Sequence, residues 1–240
     1  CGALEEKMGI HGNATCVMNY DSAVGYLLGQ EHKGLRTMFI MMNAARLVVA
    51  LQGLSQAEVA YQNALAYCKE RLQGRSPQGA KYPDQPADPI IVHPDIRRML
   101  MTVKVFKEGA RALAYWAGLM VDIIRKHPDP ETRQKTEDLL GLLTPVLKAY
   151  LTDTGFNSVN LCLQCFGGYG YIAESGMEQF VRDVRITQIY EGANGIQALD
   201  LTGRKLPANR GRAIQLFLAM VGGFCEKYKD SAALSPFIKP

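Results

Sequence analysis

Apolar residues change their spacing along this chain, and the change marks where one kind of structure gives way to another. Asn13 to Tyr20, rich in Thr, Cys and Val, and Ala23 to Leu28 are short apolar runs bounded by glycine-bearing turns, the pattern of two short strands. Two strands cannot build a core by themselves. They are expected to be the trailing edge of a β-domain whose body lies upstream, and the lack of an initiator Met at Cys1 fits a piece of something longer. After Gly34 the period becomes helical. Met38, Met41, Met42, Ala45, Val48 and Val49 share one face, and the pattern runs on to about Arg75.

A loop of turn formers follows, from Ser76-Pro77-Gln78-Gly79 through Pro83, Pro86 and Pro89. A second helix starts with Pro94 at its first position and Asp95 in its first turn. Its stripe is Ile96, Met99, Leu100, Val103, Phe106, Ala110, Leu113, Ala117, Met120 and Ile124. His127-Pro128-Asp129-Pro130 ends it, and Asp129 can cap a third helix. That helix carries Leu139, Leu143, Val146, Leu147, Tyr150, Thr154, Leu161, Cys162 and Cys165, and stops at Phe166-Gly167-Gly168-Tyr169-Gly170. Ser175-x-x-Glu178 has capping-box spacing and opens a short helix to about Val184. Gly192 to about Leu206 reads as a fourth helix, and Arg212 to Tyr228 as a further amphipathic one. Three long helices joined by short breaks need a fourth to close an antiparallel bundle, so the expected fold is mainly α.

Composition narrows the function only a little. The 240 residues are 48% hydrophobic, 21% charged and 8% aromatic, which excludes a disordered chain. No unbroken apolar run reaches the roughly 18 residues of a bilayer span, so no membrane span is expected, and the N-terminus lacks the pattern of a signal peptide. A net charge of +4 is not the footprint of a dedicated nucleic-acid domain. The six cysteines are scattered, which favours a reducing compartment over a disulfide scaffold. Cys162-Leu-Gln-Cys165 lies in a helical pattern with no second Cys or His pair, so buried helix thiols are favoured over a redox or metal site. The four histidines show no metal pairing either, and no metal is expected.

The candidate chemistry lies in Arg182-Asp183-Val184-Arg185-Ile186-Thr187-Gln188-Ile189-Tyr190-Glu191-Gly192-Ala193-Asn194-Gly195. Glu191 is a single carboxylate beside two glycines, where a flat ligand can approach the backbone. It reads as a general base in an apolar pocket or as a first-turn acid favoured by the helix macrodipole; spacing alone favours the second. The Gln164-Cys165-Phe166-Gly167-Gly168-Tyr169-Gly170 run offers backbone amides to a pyrophosphate, or is merely a helix stop. Glu70-Arg71-Leu72-Gln73-Gly74-Arg75 offers two guanidiniums to phosphates, or, as such runs more often are, is a solvated helix end.

Taken in order, these segments resemble the C-terminal signature of the acyl-CoA dehydrogenase flavoenzymes. The resemblance rests on Ile189-Tyr190-Glu191-Gly192, Arg182-Asp183 and the Gln164–Gly170 run. It extends through Asn43-Ala44-Ala45-Arg46, Glu70-Arg71 and His93-Pro94 to Gly29-Gln30-Glu31, Gly34-Leu35 and Lys7-Met8-Gly9. It covers about residues 5–205, and the loop 76–92 and Ala198-Leu199-Asp200-Leu201 resemble the larger bacterial members. The resemblance implies residues 1–33 as the remnant of a middle β-domain, 34–206 as the four-helix bundle domain, and 207–240 as the start of a C-terminal helical extension. It implies an oxidoreductase that uses FAD to dehydrogenate an acyl-CoA thioester, with Glu191 as catalytic base. Arg71, Gln164, Gly167 and Gly168 would bind the cofactor, commonly across a subunit interface, and Arg46, Tyr190 and Gly192 would lie at the substrate. An electron-transfer acceptor protein, a homodimer or homotetramer, fatty acid metabolism and a cytoplasmic location follow from the same resemblance. Two family positions that contact FAD are Ala193 and Gly195 here, so a hydroxyl contact is lost. With the flavin-covering strands upstream, the isolated chain is expected to be inactive. The weighed alternatives are an acyl-CoA oxidase, a flavoprotein relative that binds DNA through Arg204, Lys205, Arg210 and Arg212, and a non-catalytic helical oligomerisation module.

Overall fold

Long helices dominate the computed structural model, which describes residues 1–238. The element order is β1 (Ala3–Leu4), β2 (Cys16–Val17), α1 (Gly34–Glu70), α2 (Pro94–Lys126), α3 (Pro130–Cys165), α4 (Met177–Arg185), α5 (Asn194–Asp200), α6 (Arg212–Tyr228) and α7 (Ser235–Ile238). The chain divides into two compact units, Cys1–Leu113 with Leu147–Asn194, and Ala114–Val146 with Gly195–Pro240.

In the first unit the sheet is smaller than the apolar runs suggest. Only Cys16–Val17 within 13–20 is a strand, and it pairs antiparallel with Ala3–Leu4. Residues 23–28 form no strand; Val24, Tyr26, Leu27 and Leu28 are exposed, so nothing in the described chain supplies a ladder for them. The N-terminal segment docks instead on α4. The Ile10 amide donates to Asp183 Oδ1 at 2.6 Å and the Arg182 guanidinium to the Met8 carbonyl at 2.9 Å.

The helix α1 ends at Glu70 rather than near Arg75, because Arg71 turns extended (ψ 115°). Its predicted stripe also shifts: Met38, Met41 and Val48 are exposed, and the buried row begins at Arg46 and Val49 and proceeds through Leu54, Ala57, Tyr61, Ala64 and Cys68. Small residues there let α3 come close. A Cβ on Gly53 would lie 2.6 Å from the Leu151 carbonyl oxygen, and one on Gly155 would lie 2.6 Å from that of Gly53. The two helices therefore touch backbone to backbone. Further along, Phe106 of α2 meets Tyr150 of α3 edge-on, with ring centroids 6.0 Å apart. Glu58 of α1 accepts from Lys107 and Arg111 of α2. The α2 stripe is as read, with Met99, Leu100, Val103, Phe106 and Ala110 all buried.

The loop after α1 is organised by one carboxylate. Asp88 is fully buried and accepts from the backbone amides of Ser76, Lys81 and Tyr82. Burial pushes its pKa up, but these amides and the nearby Arg75 outweigh it and bring it down to about 2.

At the start of α3, Asp129 caps as expected, accepting from the Glu131 and Thr132 amides at 3.2 and 3.0 Å. Val146 and Tyr150, read as part of the α3 stripe, are exposed. The capping box at Ser175 does not form: helix α4 begins at Met177, Ser175 Oγ accepts from the Met177 amide and donates to the Ile172 carbonyl, and Glu178 pairs with Arg182. The fourth helix starts at Asn194, not Gly192, whose φ of +90° is not helical.

In the second unit α5 passes into a π-type turn over Leu201–Lys205, where the Leu206 amide reaches the Leu201 carbonyl at 2.9 Å. Helix α6 has the expected bounds, but only Ala213 on it is buried, and Leu218, Met220, Val221 and Phe224 are exposed. Arg212 donates to Asp138 from Nε and Nη2, at 2.6 and 2.8 Å, and Arg204 pairs with Asp200 at 3.8 Å. Two of the four cations weighed as a DNA-binding cluster are thus partnered within the unit.

A window of α1 has a mean hydropathy of 1.4 over 18 residues with at most two charges, long and apolar enough to cross a bilayer. This departs from the reading of unbroken runs, because a single Arg46 interrupts a run without lowering the average much.

Candidate functional site

Glu191 sits in a turn between the 3-10 segment Ile186–Gln188 and α5, and its backbone is left-handed, with φ +56°. A non-glycine residue takes this conformation at a cost of roughly 1–3 kcal/mol unless its surroundings hold it there. They do so from two sides. From α1, the buried Arg46 Nε donates to the Glu191 carbonyl at 3.4 Å, and Gln52 Oε1 accepts from the Tyr190 hydroxyl. From α3, Asp153 Oδ1 accepts from Gln188 Nε2 and from Asn194 Nδ2, each at 2.7 Å. Burial raises the Tyr190 pKa; the Gln52 bond opposes it and the Glu191 charge adds to it.

Glu191, Tyr190, Gly192 and Arg46, separated by up to 146 positions in sequence, therefore meet at one place. Tyr190 is oriented into the bundle by its hydroxyl rather than left loose. Reading the sequence did not single out Gln52, Asp153 and Lys148, and gave Gln188 and Asn194 no role within the candidate stretch. Lys148 is fully buried, and its Nζ donates to Asn194 Oδ1 at 2.8 Å. Burial lowers its pKa to about 8, the neighbouring Arg46 adding to that and Asp153 and Glu191 opposing it. The overlooked signal was the i, i+4 series Thr144-Lys148-Thr152, a polar line on the buried face of α3.

The other predicted residues lie elsewhere. Arg71 and Arg46 stand about 37 Å apart along α1 at ~1.5 Å per residue. One turn before Arg71, the Tyr67 ring stacks on Phe166 with centroids 4.1 Å apart, and Tyr169 joins the stack at 5.9 Å. This stack brings the end of α1 beside the turn that bears Gln164, Gly167 and Gly168. All four candidate residues are exposed, and a Cβ on either glycine would meet nothing within 4 Å. Bare backbone, a guanidinium and a carboxamide facing outward form a donor set suited to a phosphate-bearing ligand that arrives from outside the chain. Beneath it Cys162 and Cys165 are buried, as read from the helical pattern, and Cys165 is hydrogen-bonded to Cys68. Burial pushes the Cys162 thiol up to about 12.

Comparison with known proteins places these features in a family. Residues 32–206 match the family model described as acyl-CoA dehydrogenase, C-terminal domain. The chain is 44% identical over 221 residues to the 3-methylmercaptopropionyl-CoA dehydrogenase of Ruegeria pomeroyi, covering 92% of this chain and 37% of that protein. It is 35% identical over 242 residues to a butyryl-CoA dehydrogenase of Syntrophomonas wolfei, covering 98% and 39%. Among solved structures, Caenorhabditis elegans ACDH-11 in complex with C11-CoA has the same fold, with a TM-score of 0.83 at 22% identity, covering 96% of this chain and 36% of that one. The chain spans less than two fifths of the length of these relatives.

Proposed function

Because this chain belongs to the acyl-CoA dehydrogenase family, we propose that it supplies the catalytic base and part of the cofactor cradle of an FAD-dependent oxidoreductase that introduces an α,β double bond into an acyl-CoA thioester. The observation that carries the reading is the hold on the Tyr190-Glu191-Gly192 turn from two helices, through Arg46 and Gln52 of α1 and Asp153 of α3.

Glu191 takes the α-proton on its carboxylate. That proton is very weakly acidic, so the negative charge developing on the thioester oxygen needs donors aimed in advance, each contributing a few kcal/mol. The backbone N–H of Glu191 is one such donor. Arg46, holding the carbonyl of the same residue, fixes the turn in which that N–H lies. A bound flavin would supply the acceptor for the β-hydrogen, which leaves as hydride. Gly192 leaves room for a flat group to approach the turn.

The two clusters, set well apart along α1, support a division of labour between subunits. Arg71, Gln164, Gly167 and Gly168 would hold the adenosine and pyrophosphate end of a flavin whose ring belongs to a neighbouring subunit's site, making the working unit a homodimer or homotetramer. The exposed apolar residues Leu35, Ile40, Met41 and Val48 on the first half of α1 suit burial against such neighbours or against the upstream domain. In this reading residues 1–33 close the middle β-domain, 34–206 form the bundle, and 207–240 open a further helical region. The chain by itself would be inactive, the parent would pass its electrons to an acceptor protein, and its place would be the cytoplasm, in fatty acid metabolism.

The test is anaerobic titration of the flavin-loaded full-length parent with saturated acyl-CoAs of several lengths. Bleaching by one acyl class, abolished by Glu191→Gln, supports the reading and names the substrate class. A flavin that no acyl-CoA reduces overturns it.

A further inference from the structure

A buried lysine with no role in the reaction as described stands directly under the catalytic turn. Burying an ammonium costs several kcal/mol unless something answers it, yet Lys148 lies wholly inside α3 where an apolar side chain would pack at no such cost. What answers it is Asn194. Its Oδ1 accepts from Lys148 Nζ at 2.8 Å, while its Nδ2 donates to Thr152 Oγ1 at 2.9 Å and Asp153 Oδ1 at 2.7 Å. The amide is therefore held at both ends, with its oxygen toward the cation and its nitrogen toward the anion. Three residues ahead of Glu191, Gln188 is fixed to the same Asp153. The turn carrying the base is anchored to α3 on both sides of Glu191, and the strained φ of +56° lies between the anchors.

We infer that Lys148 is a positioning residue for the reaction: acting through Asn194, it pins the turn that holds Glu191 in its left-handed, proton-accepting geometry. The inference rests on Glu191 being the base. Lys148 does not touch the substrate; its effect is transmitted by one side-chain amide.

Protonation of the lysine matters to the clamp, because a charge-assisted bond to Asn194 is roughly twice as strong as a neutral one. The charged groups facing Lys148 are Arg46 from α1, Asp153 on its own helix and Glu191 from the turn. With a pKa lowered to about 8, Lys148 is charged and the clamp complete below that pH. Above it the ammonium becomes an amine and the hold on Asn194 loosens. Flavin reduction in the parent enzyme should accordingly decline as pH rises through about 8.

The experiment uses the flavin-loaded full-length parent and the variants Glu191→Gln, Lys148→Met, Lys148→Arg and Asn194→Ala. Three quantities are read: the single-turnover rate of flavin reduction by acyl-CoA against pH, the acyl-CoA affinity, and hydrogen–deuterium exchange of peptide 188–196 without acyl-CoA. Lys148→Met should lower the reduction rate about ten- to a hundredfold, as for a misplaced catalytic group, with much less change in affinity. It should lose the alkaline decline and raise exchange in 188–196 alone. Lys148→Arg should regain part of the rate. Asn194→Ala, at a half-buried position where folding is less at stake, should reproduce the loss of rate and the local exchange even if Lys148→Met does not accumulate. Reduction that survives Glu191→Gln overturns the assignment of the base itself. Reduction abolished there, but unaltered in rate, pH profile and local exchange in Asn194→Ala and Lys148→Met, overturns the clamp alone.

Discussion

Replacing Gly53 by alanine asks whether the close approach of α1 to α3 is a requirement or an accident of small side chains. On an exposed helix surface the change would stabilise by about 1 kcal/mol, since glycine loses more backbone freedom on folding. At position 53 the new methyl would lie 2.6 Å from the Leu151 carbonyl oxygen and 3.0 Å from the Thr152 Cα. Those are backbone atoms of a packed helix, so no rotamer relieves the contact, and the helices must part by most of an ångström. Overpacking of this kind costs about 1–3 kcal/mol, occasionally more, which outweighs the propensity gain. Gly109→Ala is the control: it is on α2, exposed, and its Cβ would meet nothing within 4 Å. Urea unfolding of the two variants should move in opposite directions, Gly53→Ala down and Gly109→Ala up. Gly155→Ala should resemble Gly53→Ala, and the double variant should cost less than the two singles together, because one separation of the helices accommodates both methyls. Equal stabilisation by Gly53→Ala and Gly109→Ala would refute the argument.

Three further outcomes follow from buried charges and thiols. Asp88→Asn should loosen the loop between Arg75 and Asp88, measured by limited proteolysis. In the unsubstituted protein the same loop should hold at any pH above the ordinary carboxylate range and open only as pH falls toward about 2, because the folded pKa lies below the unfolded one. Glu58→Gln should cost about 1–2 kcal/mol in thermal or urea unfolding, since it strands the largely buried Lys107 ammonium, and the loss should change little with salt. Alkylation at pH 8 followed by mass spectrometry should label Cys1 and Cys16 first and leave Cys68 and Cys162 unmodified until the chain unfolds, because both are buried with raised pKa values.

The helices α2 and α3 were legible because proline and aspartate mark their starts and a 3.6-residue period marks their buried stripes. The start of α1 was less so. Met38, Met41 and Val48 have the spacing of a core face but are exposed in this chain, and spacing says nothing about which partner covers a face. The Ala23–Leu28 run failed for a related reason, since a strand needs a ladder and the sequence alone does not say whether one is present. Glu191, Tyr190, Gly192 and Arg46 were named from a family resemblance, and spacing alone had favoured a helix-terminal acid at 191. The layer beneath them left one local trace, the Thr144-Lys148-Thr152 spacing on α3, which does not say what the lysine meets. Lys148, Asp153 and Asn194 find one another across more than forty positions, and each taken singly looks like a solvated surface residue.

The distance between Arg46 and Arg71 along one helix bears on how damaging alleles of the parent gene would combine. If one subunit's Glu191 works on a flavin cradled by another subunit's Arg71, lesions at these two positions belong to different complementation groups. A hybrid dimer of a Glu191→Gln subunit and an Arg71→Ala subunit then has one centre carrying both faults and one carrying neither, and two inactive gene products together yield a partly working enzyme. Two alleles at the same end of the helix could never rescue each other in this way.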